Sequence, residues 1–310
     1  MHASSASRRG ILLMVAGSSI FSSNDAFSKL ALETIPPSQI LAIRGIVAAS
    51  ILLAVLGWKG QLPALRYCAD GRVMLRALAE ALVAILFITA ITAMSIADAT
   101  AILQITPLLT MATAVLFFGA RIGWRYWTAV FVGFAGVTMI VKPGSSAFDA
   151  MALLPLGASV LIAFRDFITG RIRSHVPTLV VTFATTIAGM GFGFAGAMVE
   201  TWHAIDLKVF AYLVGGSVSL VVGHMLTIAA FRAAEPSTVA PFRYAAVVCA
   251  VGLSAVVFHD MPDLVSIGGM ALIMAAGLYT MHHHMSARAT VAAASPAARE
   301  AAVEERREAA

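Results

Sequence analysis

The chain has 310 residues, of which 60% are hydrophobic and only 12% charged, with a formal net charge of +5. A soluble domain has nowhere to hide that much apolar side chain, so the composition excludes an ordinary water-soluble fold and calls for a bilayer. The excess of basic residues sits in alternate short connections rather than on one face, which reads as membrane orientation and argues against a nucleic-acid partner.

Hydrophobic runs predict helices near 11–30, 38–57, 74–94, 99–118, 125–141, 150–170, 178–198, 209–230, 238–258 and 264–282. The fold class expected is an all-α membrane protein with ten transmembrane helices in two inverted five-helix repeats. Residues 1–10 form a cytoplasmic N-terminus, 11–141 a first repeat, 150–282 a second, and 286–310 a compositionally biased cytoplasmic tail. The repeat rests on a common step: Asp25 to Asp166, Pro36 to Pro177, Phe117 to Phe258 and Gly136 to Gly277 are each 141 residues apart. Five spans per copy is an odd number, so the second copy enters the membrane from the opposite side. Ser7-Arg8-Arg9-Gly10 looks like the start of a signal peptide. The run behind it is as long as a full span and lacks a cleavage site, so it is read as an uncleaved first helix.

One set of connections and ends carries Arg8, Arg9, Lys59, Arg66, Arg72, Arg76, Arg121, Arg125, Arg171, Arg173, Arg232 and Arg288, against Lys142 and Lys208 on the alternate set. The alternate set also holds Glu33, Asp98, Asp149, Glu200, Asp206, Asp260 and Asp263. This asymmetry places both termini in the cytoplasm. The two cysteines, Cys68 and Cys249, belong to no CxxC or Cys/His cluster, so neither a disulfide nor a zinc site is expected, and no cofactor is implied.

Charge within a span is expensive and needs a reason. Ser18, Ser22, Asp25 and Lys29 form one polar stripe on the first helix. Asp25 and Arg44, on consecutive antiparallel helices, both lie about 9 Å from the outer boundary and can pair, either as a structural salt bridge that shares Lys29 or as a substrate site or gate. Asp166 and Arg243 mirror them near the inner side, Arg243 about 7 Å deep, and would make an inner gate. Arg165, next to Asp166, is read as snorkelling to the interface. Glu80, about 9 Å from the inner face, is a candidate proton carrier or a partner for Arg76. His224 shares a polar face with Ser217 and Thr227. Gln104, Phe242 and Tyr244 could line the same cavity, and Pro241 should loosen the helix that carries Arg243.

Three further motifs have plainer readings. Gly189, Gly191, Gly193 and Gly196 mimic a dinucleotide loop but have no strand before them, so close helix packing is expected. His282, His283 and His284 are read as interfacial rather than metal-binding. The scattered methionines read as packing residues.

Asn24-Asp25-Ala26-Phe27-Ser28-Lys29-Leu30 and the Arg44 segment Ile40-Leu41-Ala42-Ile43-Arg44 resemble the drug/metabolite transporter superfamily, EamA type. So does the stretch from Ala99-Thr100-Ala101 through Pro107 to Gly133-Phe134-Ala135-Gly136 and Lys142-Pro143. Ala240-Pro241-Phe242-Arg243-Tyr244 is similar to the ninth helix of a subgroup that includes S-adenosylmethionine uptake proteins and, more loosely, riboflavin transporters. The resemblance covers about residues 8–285. It implies ten helices around a central cavity and a secondary transporter of a small organic metabolite, with S-adenosylmethionine, riboflavin, an amino-acid-like compound or an exported drug as candidate cargoes. Many members carry an acid where the fourth helix ends. Here Phe118-Gly119-Ala120-Arg121 has none, whereas Phe258-His259-Asp260 keeps one.

No P-loop is present, so a proton gradient or substrate exchange would supply the energy. The rival from another class is an intramembrane enzyme using Ser18, Ser159 and His224. No nucleophile motif surrounds either serine. The expected partners are thus a small-molecule substrate, the lipid bilayer and protons, and the sequence leaves the oligomeric state open.

Overall fold

The computed structural model describes residues 5–109, 124–143, 150–169, 171–173, 175–233 and 239–280, and among these there is no strand. In chain order the helices are α1 (Ser5–Leu32), α2 (Pro37–Trp58), α3 (Gly71–Ala93), α4 (Ile96–Leu103), α5 (Trp124–Val141), α6 (Leu153–Thr169), α7 (Thr178–Gly196), α8 (Leu207–Ala233), α9 (Ala245–Val257) and α10 (Leu264–Thr280). Among the described residues, the segments Pro37–Trp58, Gly71–Ala93, Ala150–Thr169, Thr178–Gly196 and Leu207–Ala230 are each long and apolar enough to cross a membrane. Phe117, Arg121, His282, His283, His284 and the tail from residue 286 lie outside the described residues.

Local chemistry sets the helix ends. Pro36 and Pro177 take extended backbone conformations (φ −73°, ψ 161° and φ −63°, ψ 137°) immediately before α2 and α7. Pro37 restricts the residue before it to that region and fits the first helical position, where no N–H is needed. At one end of the bundle the helix starts are capped by acids. Asp98 and Ser95 exchange bonds at the start of α4, Asp206 accepts from the Val209 N–H at 2.7 Å before α8, and Asp263 accepts from the Ser266 N–H at 2.7 Å before α10. Glu200, arriving from the end of α7, accepts from the Ser38 N–H of α2 at 2.9 Å. Carboxylates are favoured there because the first-turn N–H groups are unsatisfied and the helix dipole is positive. The exposed Asp263 carboxyl is held down at about 2 by its bonds to Lys142 and Ser266.

The helices cross between the two halves of the chain. α1 packs most extensively on α8, α2 on α7, and α3 on both α6 and α7, while α9 lies against α1 and α4. Advancing each helix of α1–α5 by five places, and each of α6–α10 back by five, turns the α1–α8 contact into α6–α3. The same exchange turns α3–α7 into α8–α2 and α1–α9 into α6–α4. It leaves α2–α7 and α4–α9 unchanged. Small residues set the spacing. Gly193 of α7 sits where a Cβ would lie 2.7 Å from the Ser38 carbonyl of α2, and Gly45 opposes Met190. Gly215 and Gly223 of α8 receive the rings of Phe27 and Phe21. The glycine run of α7 is therefore a packing face only in part, because nothing lies within 4 Å of a Cβ at Gly189 or Gly191.

α1, α2 and α8 are also fastened by a polar knot, and here the expected Asp25–Arg44 ion pair is corrected. Among the described residues the two make no bridge within 4 Å; Asn24 stands between them. Arg44 Nη1 donates to Asn24 Oδ1 and to Ser28 Oγ, each at 3.0 Å, and Asn24 Nδ2 donates to Asp25 Oδ1 at 2.9 Å. The amide turns its oxygen to the cation and its nitrogen to the anion. Ser217 of α8 closes the knot by donating to the Arg44 carbonyl at 3.1 Å. Nor does Lys29 share in it. Its Nζ donates to the Met94 carbonyl at 2.8 Å and lies 5.3 Å from the Phe258 ring centre.

Two outcomes follow from this packing. Gly193→Val should cost about 1–3 kcal/mol or more through overpacking, whereas Gly189→Ala should leave stability level or slightly raised. Thermal unfolding in detergent compares them. By the same assay Asn24→Ala, which strips Arg44 of one of its two side-chain acceptors, should cost about 1–3 kcal/mol. Asp25→Asn should cost less, because an amide still accepts from Asn24. Wild-type stability of Asn24→Ala would contradict the bridge.

Candidate functional site

At the end of the bundle opposite the acidic caps, interior charges gather on α3 and α6, and α7 adds the Thr185 hydroxyl. Arg165 is their hub and does not snorkel. Its Nη1 pairs with Glu80 Oε2, and its Nη2 and Nε both donate to Asp166 Oδ1, at 2.6 and 3.0 Å. Its side chain is 14% exposed, too enclosed for an interfacial arginine. Glu80 also faces Arg76 at 4.0 Å, and Arg76 reaches across to Thr169 Oγ1 at 3.2 Å and Thr185 Oγ1 at 2.6 Å. Glu80 thus touches two guanidiniums, and the stronger contact is the one the sequence did not suggest.

Arg243 stands apart from this lattice. It is exposed, and among the described residues it makes no ion pair within 4 Å, so the expected Asp166–Arg243 pair is absent as a contact. Asp166, Arg165 and Glu80 nevertheless lie within electrostatic reach of it, Asp166 foremost. The inner carboxylate is held by its sequence neighbour, and the second guanidinium is left open.

The backbone around Arg243 is irregular on two helices at once. Ala240–Tyr244 winds as a 3-10 turn with a proline in its first turn, and regular α-helix begins only at Ala245. This is the loosening expected of Pro241. On α4 the helix breaks at Gln104 and Ile105 and resumes at Thr106. Pro107 has no N–H to return to the Leu103 carbonyl, and Thr106 Oγ1 takes that acceptor at 2.6 Å. The two breaks meet, with Gln104 Nε2 donating to the Arg243 carbonyl at 3.4 Å. Irregular backbone at membrane depth is tolerated where it is enclosed by protein or lines a cavity.

The remaining candidates divide. Phe242 is 38% exposed and adjoins the open guanidinium. His224 Nδ1 is 3.0 Å from the Leu220 carbonyl, which puts the proton of a neutral ring on Nδ1 and leaves Nε2 as an acceptor. Its ring meets Phe21 edge-on at 4.8 Å. Tyr244 does not line a cavity. It is 5% exposed, its hydroxyl is buried without a bond, and it packs against Gly277 of α10. Asp25 is half-buried beside the Asn24 bridge, and Arg44 is buried within the knot. At the acidic end a separate polar cavity of about 350 Å³ is lined by residues including Lys29, Ser95, Asp98, Lys142, Asp260 and Ser266. Among the described residues no three His, Cys, Asp or Glu side chains gather as a metal site would need.

Sequence reasoning missed Asn24, Arg165, Thr169 and Thr185 as participants. Arg165 had a usable signal: in the middle of an apolar run, two adjacent opposite charges cannot both face lipid. Thr185 had none, because a lone threonine in a span normally bonds its own backbone.

Residues 8–142 match the EamA-like transporter family. A protein named S-adenosylmethionine uptake transporter from Rickettsia bellii (strain RML369-C) is 25% identical over 62% of this chain and 66% of its own length. The match to other Rickettsia proteins of that name reaches 61–63% of their length, so the chain aligns with less than two thirds of these relatives. The pseudopaline exporter CntI of Pseudomonas aeruginosa (strain UCBPP-PA14) is 25% identical over 87% of this chain and 94% of its own. A riboflavin transporter of Rhizobium johnstonii is 30% identical over 64% and 66%. One solved crystal structure superposes with a TM-score of 0.63 at 17% identity, covering 90% of this chain and 98% of that one, which supports the fold alone. Over residues 8–142 the chain is similar to the EamA-like transporter family, and the relatives that match over longer stretches carry transporter or exporter names.

Proposed function

We propose that the chain is a secondary transporter of the bacterial inner membrane that moves a small organic metabolite by alternating access, with its substrate at Arg243 where the breaks in α4 and α9 meet. The observation that carries this is the free guanidinium. A cation in the interior half of a membrane bundle, exposed and without an ion pair among the described residues, is placed to meet something that arrives. Gln104 is bonded to the Arg243 carbonyl, and Phe242 adds an exposed aromatic face next to the guanidinium in sequence.

Residues 11–141 and 150–282 then act as two inverted repeats that rock about this site. The exchange symmetry of the helix contacts supports that division. The Asn24 knot and the Arg165 lattice are fastenings near opposite faces. Glu80, held between Arg165 and Arg76, belongs to the second fastening, and we assign it a structural role in place of proton carriage. Cytoplasmic termini follow from the basic connections. An enzymatic reading is disfavoured at Ser159, which is fully buried and donates to the Pro155 carbonyl at 2.8 Å. Relatives that take up S-adenosylmethionine or export pseudopaline by name leave both directions of flux to be assayed.

Proteoliposome flux of labelled S-adenosylmethionine and riboflavin, with recovery of unaltered compound, tests the class. For the site, Arg243→Lys keeps the charge and loses the planar two-pronged donor. It should weaken substrate binding at least about tenfold, roughly 1.4 kcal/mol, at normal membrane abundance. Unchanged affinity would return Arg243 to a counter-ion for Asp166. A topology reporter in the Glu200–Lys208 connection should read periplasmic. A cytoplasmic reading there would invert the orientation.

A further inference from the structure

At the end of the bundle opposite the acidic caps, two connections lie against each other. One joins α2 to α3 and winds as a 3-10 segment over Leu62–Ala69; the other joins α6 to α7. Arg72 Nη1 donates to the Arg171 carbonyl at 2.6 Å, and the ring of Tyr67 meets His175 edge-on at 5.0 Å. Arg66 Nη2 donates to the Tyr67 hydroxyl at 3.1 Å. Each half of the chain thus supplies one side of a single corner.

The corner is strongly basic. Residues 59–72 and 171–177 carry Lys59, Arg66, Arg72, Arg171 and Arg173 against one acid, Asp70. All five cations are exposed. Asp70 is engaged as a helix cap and accepts from the Arg72 N–H at 2.9 Å. Membrane orientation accounts for basic residues in each connection. It does not require arginines from different halves to touch, where like charges repel. Arg72 spends Nη1 on the Arg171 carbonyl. Its Nε and Nη2, the edge that can meet two phosphate oxygens, make no hydrogen bond among the described residues.

Below this charge lies an apolar strip that faces the bilayer. Leu75, Leu78 and Leu82 follow Arg72 along α3 at helical spacing, and all three are exposed. From Arg72 to Leu82 the helix rises about 15 Å, half the thickness of a ~30 Å hydrocarbon core and so the depth of one leaflet. Trp58, exposed where α2 ends, is of the type favoured at headgroup level. We propose that this corner binds an anionic phospholipid, its phosphate among Arg66, Arg72 and Arg171 and an acyl chain along Leu75, Leu78 and Leu82. The phosphate offsets the repulsion between the two connections and joins the halves of the chain at this face. The site is separate from Arg243 and rests on the membrane-spanning fold, whatever the substrate.

Native mass spectrometry of the purified protein with dioleoylphosphatidylglycerol and dioleoylphosphatidylcholine, which share acyl chains and differ in net charge, tests this. The wild type should bind the anionic lipid at least about tenfold more tightly. Arg72→Gln should cut that preference at least about threefold. Lys208→Gln, at the acidic end, should leave it unchanged. Leu78→Ser should weaken both lipids alike. Glycerol 3-phosphate, which has the phosphate and no acyl chain, should not displace the bound lipid. Equal affinity of the wild type for the two lipids overturns the assignment, and that comparison stands even if Arg72→Gln folds poorly. A loss of preference in Lys208→Gln as large as in Arg72→Gln overturns it too, by reducing the effect to net charge. Displacement by glycerol 3-phosphate would make the corner a site for free phosphate and also overturn it. None of these measurements reads transport, so their failure leaves the substrate reading at Arg243 standing.

Discussion

A guanidinium or carboxylate placed in hydrocarbon must find a partner or water, and the contacts of Arg44, Arg76 and Arg165 in this bundle answer that demand. Arg44 meets it with two neutral oxygens from α1, one of which relays the charge to Asp25. Arg165 meets it with two carboxylates, and Arg76 with two threonine hydroxyls and the shared Glu80. Arg44 ties the consecutive helices α1 and α2, while Arg165 and Arg76 tie helices from the two halves of the chain, so satisfying the charge and holding the bundle are one act. Removing one partner strands the other, which explains how a few polar residues can govern a protein that is mostly apolar.

The backbone obeys the same accounting. The breaks in α4 and around Arg243 expose carbonyls that a lipid environment would not tolerate. They are answered locally, by Thr106 for Leu103 and by Gln104 for Arg243. The first device serves Pro107, which has no N–H to offer the Leu103 carbonyl. The acids at the far end do similar work: Asp98, Asp206, Asp263 and Glu200 sit on helix starts whose N–H groups lack partners. The acidic bias of one set of connections, read from sequence as a sign of orientation, thus has an independent local cause. Helices α2, α4, α8 and α10 all begin at that end, and helix starts attract carboxylates.

Helix positions were legible in the sequence because apolar runs and prolines report the membrane and the turns directly. Pro36 and Pro177 open α2 and α7 in matching conformations, as their common spacing implied. Depth along each helix was legible too, since rise per residue is fixed. Azimuth and partner choice were not. Asp25 and Arg44 lie at the same depth, yet the intervening amide belongs to Asn24, one residue away and indistinguishable by depth. Arg165 reads from the sequence as snorkelling to the interface, whereas its flexible side chain folds back on Asp166. Tyr244 resembled a cavity aromatic because it follows Arg243, but one residue of a 3-10 turn rotates it onto Gly277.

That last rotation separates the two residues beside Arg243 by their surroundings. Phe242 and Tyr244 flank the guanidinium in sequence, and a tight turn sends them to opposite surroundings, one exposed and one packed in α10. The packed tyrosine anchors the turn against a glycine that makes room for it, so the irregular segment is irregular without being loose. Arg243 is thereby presented from a backbone fixed on one side by Tyr244 and on the other by Gln104. A binding group gains from this, since the fewer motions it must surrender on contact, the more of its interaction remains as affinity. The bonded charges hold the walls of the bundle, while Arg243, without an ion pair among the described residues, is presented from a backbone held on both sides.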